Sequence, residues 1–286
     1  MAVSDAQEIS FDLGGITIAA KEWGQPGDLP VLALHGWLDN CASFNKLAPM
    51  LKGVHFIAID MAGHGLSGHR QVGMSYPIVQ DVTEVFQIAD QLHWQEFALM
   101  GHSRGAIISA LAAGTFPERI SHLALIDGFK PSTTKMEDSP TQLAQSIIDL
   151  QRHRSRGFAV YPDIETAVVV RQRGQIPLSY EAAKQLVEHG LREVEGGYTW
   201  SNDPQLKGAS CVRLSEEAAH AFYQRITAKT RLIIAENGMP MLRDRLEGIA
   251  EQYPFIEATH IPGSHHLHME DAAPAVADCF NQLFSQ

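Results

Sequence analysis

Ser103 stands in Gly101-His102-Ser103-Arg104-Gly105, with an apolar run, Phe97 to Met100, before it and a helix-forming run, Ala106 to Ala113, after it. A Gly-x-Ser-x-Gly between strand and helix is a nucleophile elbow, a turn sharp enough to strain the serine backbone and lift its hydroxyl clear of a sheet. Glycine stands at both ends because a Cβ there collides with the neighbouring strand or helix. Serine is a weak nucleophile at neutral pH. It needs a base within hydrogen-bond reach, a carboxylate to orient that base, and donors for the oxyanion. Three histidines, His265, His266 and His268, compete for the role of base in the segment Pro262 to Glu270. Asp127, Glu236 and Asp244 are the candidate carboxylates. The expected oxyanion donors are the backbone N–H groups of Arg104, directly after the serine, and Trp37, in the loop after His35-Gly36.

The elements that would position these groups alternate in type. Ile9–Leu13 and Ile16–Trp23 flank Gly14-Gly15 and read as a hairpin. Val31–Leu34 and Val54–Ile59 read as buried strands, separated by a short helix over Ala42–Leu51 capped by Asp39 or Asn40. Apolar residues at helical spacing from Ile78 to Leu92 precede the elbow strand, and His122–Ile126 is a further strand stopping at Asp127-Gly128. This alternation of buried strands and helices predicts a mostly parallel sheet covered on both faces. From Phe129 to Thr227 the pattern turns helical, with helices expected over Thr141–His153, Ile164–Arg173, Tyr180–Glu193 and Glu216–Ile226. The strand pattern then resumes at Arg231–Ala235 and Phe255–Ile261, with helices over Leu242–Tyr253 and Ala273–Phe284. Residues 129–227 are therefore read as a helical cap inserted into a core formed by 1–128 and 228–286.

Other clusters have blander readings. His265-His266-x-His268 lacks a second ligand group at recognisable spacing, so no metal site is expected and a metalloenzyme is a remote rival. Asp60-Met61-Ala62-Gly63-His64-Gly65 reads as a tight structural turn, not a second catalytic pair. The Arg104 side chain either meets a substrate carboxylate or, the preferred reading, is tied to a neighbouring acid. Trp37, Phe129, Phe158 and Trp200 are candidate substrate contacts, with Tyr161 and Phe222 as further aromatics of the same region.

A hydrophobic content of 45% with 19% charged residues describes a globular chain with a sizeable core. The net charge of −11 argues against nucleic acid or an anionic membrane as partner. Cys41, Cys211 and Cys279 are widely spaced with no Cys-x-x-Cys, which fits neither a disulfide framework nor a zinc site and points to a reducing compartment. No leader pattern is visible in Met1–Ser10 and no apolar run approaches the ~20 residues that span a bilayer. A cytoplasmic protein acting on a small molecule, without cofactor, is the expectation; a homo-oligomer is compatible with it.

Taken together, His35-Gly36-Trp37, Asp60-x-x-Gly63-His64-Gly65-x-Ser67, Gly101-x-Ser103-x-Gly105 and Pro262-Gly263-x-His265-x-x-His268 resemble the α/β-hydrolase superfamily over nearly the whole chain. Leu34 to Asn40 together with Gly197-Tyr198-Thr199-Trp200 is similar to its serine hydrolase-like branch. The resemblance implies a doubly wound, mostly parallel α/β sheet of about eight strands with a helical cap. It favours His265, first of the His-x-x-His-x-Glu run, over His266 as base. Many members carry the acid after the strand that here ends at Ala235, where no aspartate follows. Asp127, the other place where the fold supplies it, is favoured over Glu236 and Asp244, in the chain order Ser103, Asp127, His265. The activity implied is hydrolysis of a small, fairly apolar carboxylic ester, thioester or amide. Carbon–carbon hydrolysis or a lyase step by the same triad, and a non-catalytic small-molecule receptor on the same fold, are the alternatives.

Overall fold

The computed structural model describes residues 6–154 and 157–286. Residues 1–5, part of the stretch read for a leader, lie outside the described residues. Ten strands are present in this range: β1 (Gln7–Asp12), β2 (Thr17–Trp23), β3 (Leu29–Leu34), β4 (Val54–Ile59), β5 (Phe97–His102), β6 (Ile120–Ile126), β7 (Leu191–Val194), β8 (Gly197–Trp200), β9 (Lys229–Asn237) and β10 (Ile256–Ser264). The helices are α1 (Ile78–Gln91), α2 (Arg104–Thr115), α3 (Ser139–Arg154), α4 (Ile164–Gln172), α5 (Tyr180–Gly190), α6 (Glu216–Tyr223), α7 (Pro240–Leu246), α8 (Ile249–Gln252) and α9 (Ala273–Phe284).

Eight strands form one sheet in the order β1-β2-β4-β3-β5-β6-β9-β10. Only the β1–β2 and β2–β4 pairs are antiparallel. Every residue of β4 and β5 is buried, as strands covered on both faces must be, which is why both are apolar except at His55 and at the Gly101-His102 end. One face packs Leu32, Leu34, Leu99 and Leu125 against α1, α2 and α6. The other packs Val31, Phe56, Met100 and Ile126 beneath α9.

Register places the candidate groups side by side. Leu34 of β3 pairs with Gly101 of β5, so the loops carrying Trp37 and Ser103 leave the sheet as neighbours. His102 pairs with Ile126, which sets Asp127 beside Ser103. Ile126 pairs with Ile233, and Ile261 with Ala235, so β9 stands between Asp127 and the end of β10, where His265 follows. The chain reverses its direction of travel across the sheet between β3 and β5, and ligands of open α/β sheets bind at such a switch point.

Between β6 and β9 the chain builds α3, α4 and α5, the β7–β8 hairpin, and α6. α4 and α5 share their own apolar cluster, Ala167, Val168, Leu178, Ala183, Leu186 and Val187, which also takes in Met269 from the loop after β10. α6 behaves differently: Ala219 and Tyr223 belong to the main core, and a Cβ on Gly114 of α2 would sit 2.3 Å from the Phe222 carbonyl oxygen.

Local geometry departs from the sequence expectation at three places. The helix expected over Tyr180–Glu193 stops at Gly190, where a side chain would strike Asn40 and Trp200, and β7 begins at once. The helix expected over Leu242–Tyr253 is two, α7 and α8, divided at Gly248, whose φ of +66° takes the chain out of the right-handed helix. Ala42–Leu51 forms two 3-10 turns, Cys41–Phe44 and Ala48–Met50; Asn40, not Asp39, caps the first by accepting from Ala42 N–H.

Candidate active site

Ser103 joins β5 to α2 with φ +52° and ψ −113°, a conformation that non-glycine residues rarely adopt and that here follows from crowding. A Cβ on Gly105 would lie 2.0 Å from the Leu34 carbonyl oxygen, and one on Gly101 would lie 2.4 Å from the carbonyl carbon of Gly105. Only glycine at both positions lets α2 start this close to β3. Ser103 N–H donates to the Ile126 oxygen at 2.9 Å, and its side chain is half-buried.

Asp127 also has a positive φ, +45°, and is 1% exposed. Its Oδ1 accepts from Ala235 N–H at 3.0 Å, and its Oδ2 accepts from His265 Nδ1 at 2.6 Å. The flanking glycines allow this fit: a Cβ on Gly128 would strike Ser103, and one on Gly238 would sit 2.6 Å from Asp127 Oδ2. An ionised carboxylate only accepts, so it fixes the His265 proton on Nδ1 and leaves a lone pair on Nε2. Glu236 and Asp244 are exposed and neither bonds to a histidine among the described residues.

The structure separates the three histidines. His265 meets Asp127, while His266 Nε2 donates to Asp39 Oδ2 at 3.1 Å. Arg171 of α4 holds the other Asp39 oxygen at 2.9 Å. His102 Nε2 donates to the His265 carbonyl oxygen at 2.9 Å, which anchors the backbone of the candidate base. His268 packs against His102 and Phe44. Burial opposes ionisation of Asp39, but His266, Arg171 and His102 hold its carboxyl well below the usual range. Asp39, seen in the sequence only as a possible helix cap, is thus the hub between α4 and the histidine loop. Only its neighbourhood to His35-Gly36 hinted at this; the partner Arg171 is 132 residues away.

Trp37 N–H and Arg104 N–H find no protein acceptor among the described residues. Leu38 has φ +61°, which bends the chain immediately after Trp37. The Trp37 indole donates to the Leu206 oxygen at 2.9 Å and stands between two cavities. One, of about 320 Å³, is lined by Trp37, Phe158, Tyr161, Val170 and Trp200; the other, of about 500 Å³, by Trp37, Ile78, Arg104, Ile107 and Met241. The Arg104 guanidinium is bonded to Asp81 and to the Tyr76 oxygen. Phe129 corrects the sequence reading: it is fully buried, packed at a tilt against Tyr223 with ring centroids 4.4 Å apart, and lines neither cavity. Its place directly after Gly128 turns it into the aromatic cluster with Tyr223 and Tyr253. Phe222 likewise lines neither cavity and packs on the core. Asp60 is fully buried, accepting from Cys41 N–H and Leu66 N–H, with no bond to His64.

Burial pushes His35, His64, His102, His122, His266 and His268 below the usual imidazole value of 6.5. As pH falls through 6.5 the unfolded chain takes up protons that these folded rings refuse, so stability falls. Burial raises Asp81, and raises Glu84 to about 7, which works the other way because the folded chain protonates first. Six groups against two leaves acid destabilisation, at most ~5 kcal/mol per pH unit below 6.5. The urea midpoint is expected to drop between about pH 7.5 and about pH 5.5; a constant or rising midpoint contradicts this assignment.

Comparison with known proteins follows the same lines. The alpha/beta hydrolase fold family matches residues 30–166. Serine hydrolase-like protein 2 of Homo sapiens is 30% identical over 278 residues, covering 89% of this chain and 86% of that protein. The crystal structure of a hypothetical protein from Pseudomonas aeruginosa PAO1 is 42% identical with a TM-score of 0.93, covering 98% and 99% of the two chains. A thioesterase domain from the curacin biosynthetic pathway is 25% identical with a TM-score of 0.84, covering 97% and 99%. The chain belongs to the α/β-hydrolase family, among its serine hydrolase-like members. No helix among the described residues is long and apolar enough to cross a membrane.

Proposed function

We propose that this protein hydrolyses a small, fairly apolar carboxylic ester, thioester or amide through an acyl-enzyme on Ser103. The observation that carries the reading is the Asp127–His265 bond of 2.6 Å beside a serine held at φ +52°. Ser103 Oγ attacks the acyl carbonyl while His265 Nε2 takes its proton. The Trp37 and Arg104 N–H groups, free of protein acceptors, hold the oxyanion, each worth a few kcal/mol in the transition state. His265 passes the proton to the leaving group as the tetrahedral intermediate collapses. A water molecule, deprotonated by the same Nε2, then attacks the acyl-enzyme and releases the acid. Asp127 keeps the imidazole in the competent tautomer throughout.

The two cavities beside Trp37 supply apolar walls for acyl and leaving groups, and Arg104, bonded to Asp81, adds no free charge there. The relative from the curacin pathway is named a thioesterase domain, which fits an acyl-transfer reaction on this fold. A fluorophosphonate probe is expected to label the protein once, at Ser103, with loss of esterase activity in proportion. A folded protein that leaves Ser103 unlabelled while binding a small molecule tightly would make it a receptor instead. A chain-length series of acyl esters then ranks substrates by kcat/KM.

A further inference from the structure

Cys41, Asp60 and His189 come from three separate elements and meet without contacting Ser103, Asp127 or His265. Cys41 opens the first 3-10 turn after β3, Asp60 follows the last residue of β4, and His189 lies in the last turn of α5. His189 Nε2 is 3.3 Å from Cys41 Sγ and 2.8 Å from Asp60 Oδ2. The Cys41 and Asp60 side chains are fully buried, and that of His189 is 8% exposed.

A cysteine, a histidine and an aspartate together first suggest a nucleophile relay, but the geometry rejects it. A relay uses both ring nitrogens, one toward the nucleophile and one toward the acid. Here the same nitrogen faces both partners. Asp60 Oδ2 only accepts, so Nε2 carries the proton that bonds it and has no lone pair for the thiol. The Asp60 carboxylate also accepts from the Cys41 thiol, so thiol and imidazole are both drawn to one carboxylate. Sulfur, imidazole nitrogen and carboxylate oxygen from these three residues lie within 4.8 Å of one another, an arrangement that one cation can complete.

The donor set of thiolate sulfur, imidazole nitrogen and carboxylate oxygen is that of Zn²⁺. The orienting contacts are also present: Asp60 Oδ1 accepts from Cys41 N–H at 2.7 Å, and Leu66 N–H fixes Oδ2 at 2.8 Å. A cavity of about 230 Å³ lined by Glu8, Ser10, Leu66 and His189 opens at the His189 edge of the cluster. We propose that Cys41 Sγ, Asp60 Oδ2 and His189 Nε2 bind one Zn²⁺ ion that ties α5 to the turns after β3 and β4. Binding releases the thiol proton to solvent and moves the imidazole proton from Nε2 to Nδ1. The ion's two charges are balanced by thiolate and carboxylate. The site stands apart from the proposed hydrolysis and does not depend on it.

The test uses the full chain stripped of metal with a chelator and titrated with Co²⁺ alone. One equivalent is expected to bind, with a near-ultraviolet thiolate-to-cobalt charge-transfer band that Zn²⁺ abolishes by displacement. Cys41→Ser is expected to lose the band, while Cys211→Ser and Cys279→Ser retain it. His189→Ala is expected to weaken Co²⁺ binding more than the ~10–100-fold that changes outside the ligand set cost; it decides the matter if Cys41→Ser does not fold. Ser103→Ala is expected to bind Co²⁺ as the parent does. Absence of the band in the parent protein, or its persistence in Cys41→Ser, overturns the proposal.

Discussion

Replacing Ser103 with alanine is expected to lower kcat for p-nitrophenyl acetate hydrolysis by about 10⁴ to 10⁶. The substitution removes one oxygen and little else. Among the described residues the Ser103 hydroxyl has no protein hydrogen bond, and alanine keeps the Cβ that the strained turn already accommodates, so folding stability should change by less than about 1 kcal/mol. The rate loss would therefore report chemistry and not unfolding, which a thermal melt on the same sample checks. What survives, with the Trp37 and Arg104 N–H groups in place, is the contribution of oxyanion binding and substrate positioning. KM should move far less than kcat, since the attacking oxygen adds little to ground-state binding. Hydrolysis at the parental rate by Ser103→Ala would remove Ser103 from the mechanism.

Asp127→Asn should cost about 10⁴ in kcat, the larger test of the acid. The asparagine can keep its carbonyl oxygen on Ala235 N–H, which leaves its amide facing His265 Nδ1. A donor in that place favours the tautomer with the proton on Nε2, and the ring then cannot take the proton of Ser103. Glu236→Gln and Asp244→Asn, on exposed side chains, should stay within about twofold of the parent. A larger loss in Glu236→Gln than in Asp127→Asn would place the acid after β9. The geometry argues otherwise in one specific way. The end of β9 gives Asp127 a backbone N–H from Ala235, so the strand after which many relatives carry the acid here orients it instead.

What was legible in the sequence was local. β4, apart from His55, and β5 up to Met100 are apolar runs because both faces are covered. The β7–β8 hairpin is not legible because its four-residue strands are short, mostly half-buried and carry no alternation, although Gly196-Gly197 with φ +87° and +137° mark its turn. The break at Gly248 was missed for a related reason: glycine inside an amphipathic stretch is tolerated until its φ is known. Phe129 was misplaced because aromatic character is the same in a core and in a pocket wall. Only the packing on Tyr223 and Tyr253 tells them apart.

By itself the sequence determined the elbow at Ser103, since its constraint is steric and acts over five residues: two glycines flanking a sharp bend. It also determined the alternation of buried strands and helices in the sheet, hence the class of fold. The proposed partners of that serine, like the other long-range pairs, were a matter for the tertiary structure. Asp127 and His265 are 138 residues apart, Asp39 and Arg171 132, Cys41 and His189 148. Each pair meets only because parallel strands pair in one register and α4 and α5 dock over their ends. No local preference of the chain encodes such contacts, which arise when distant apolar faces are buried together.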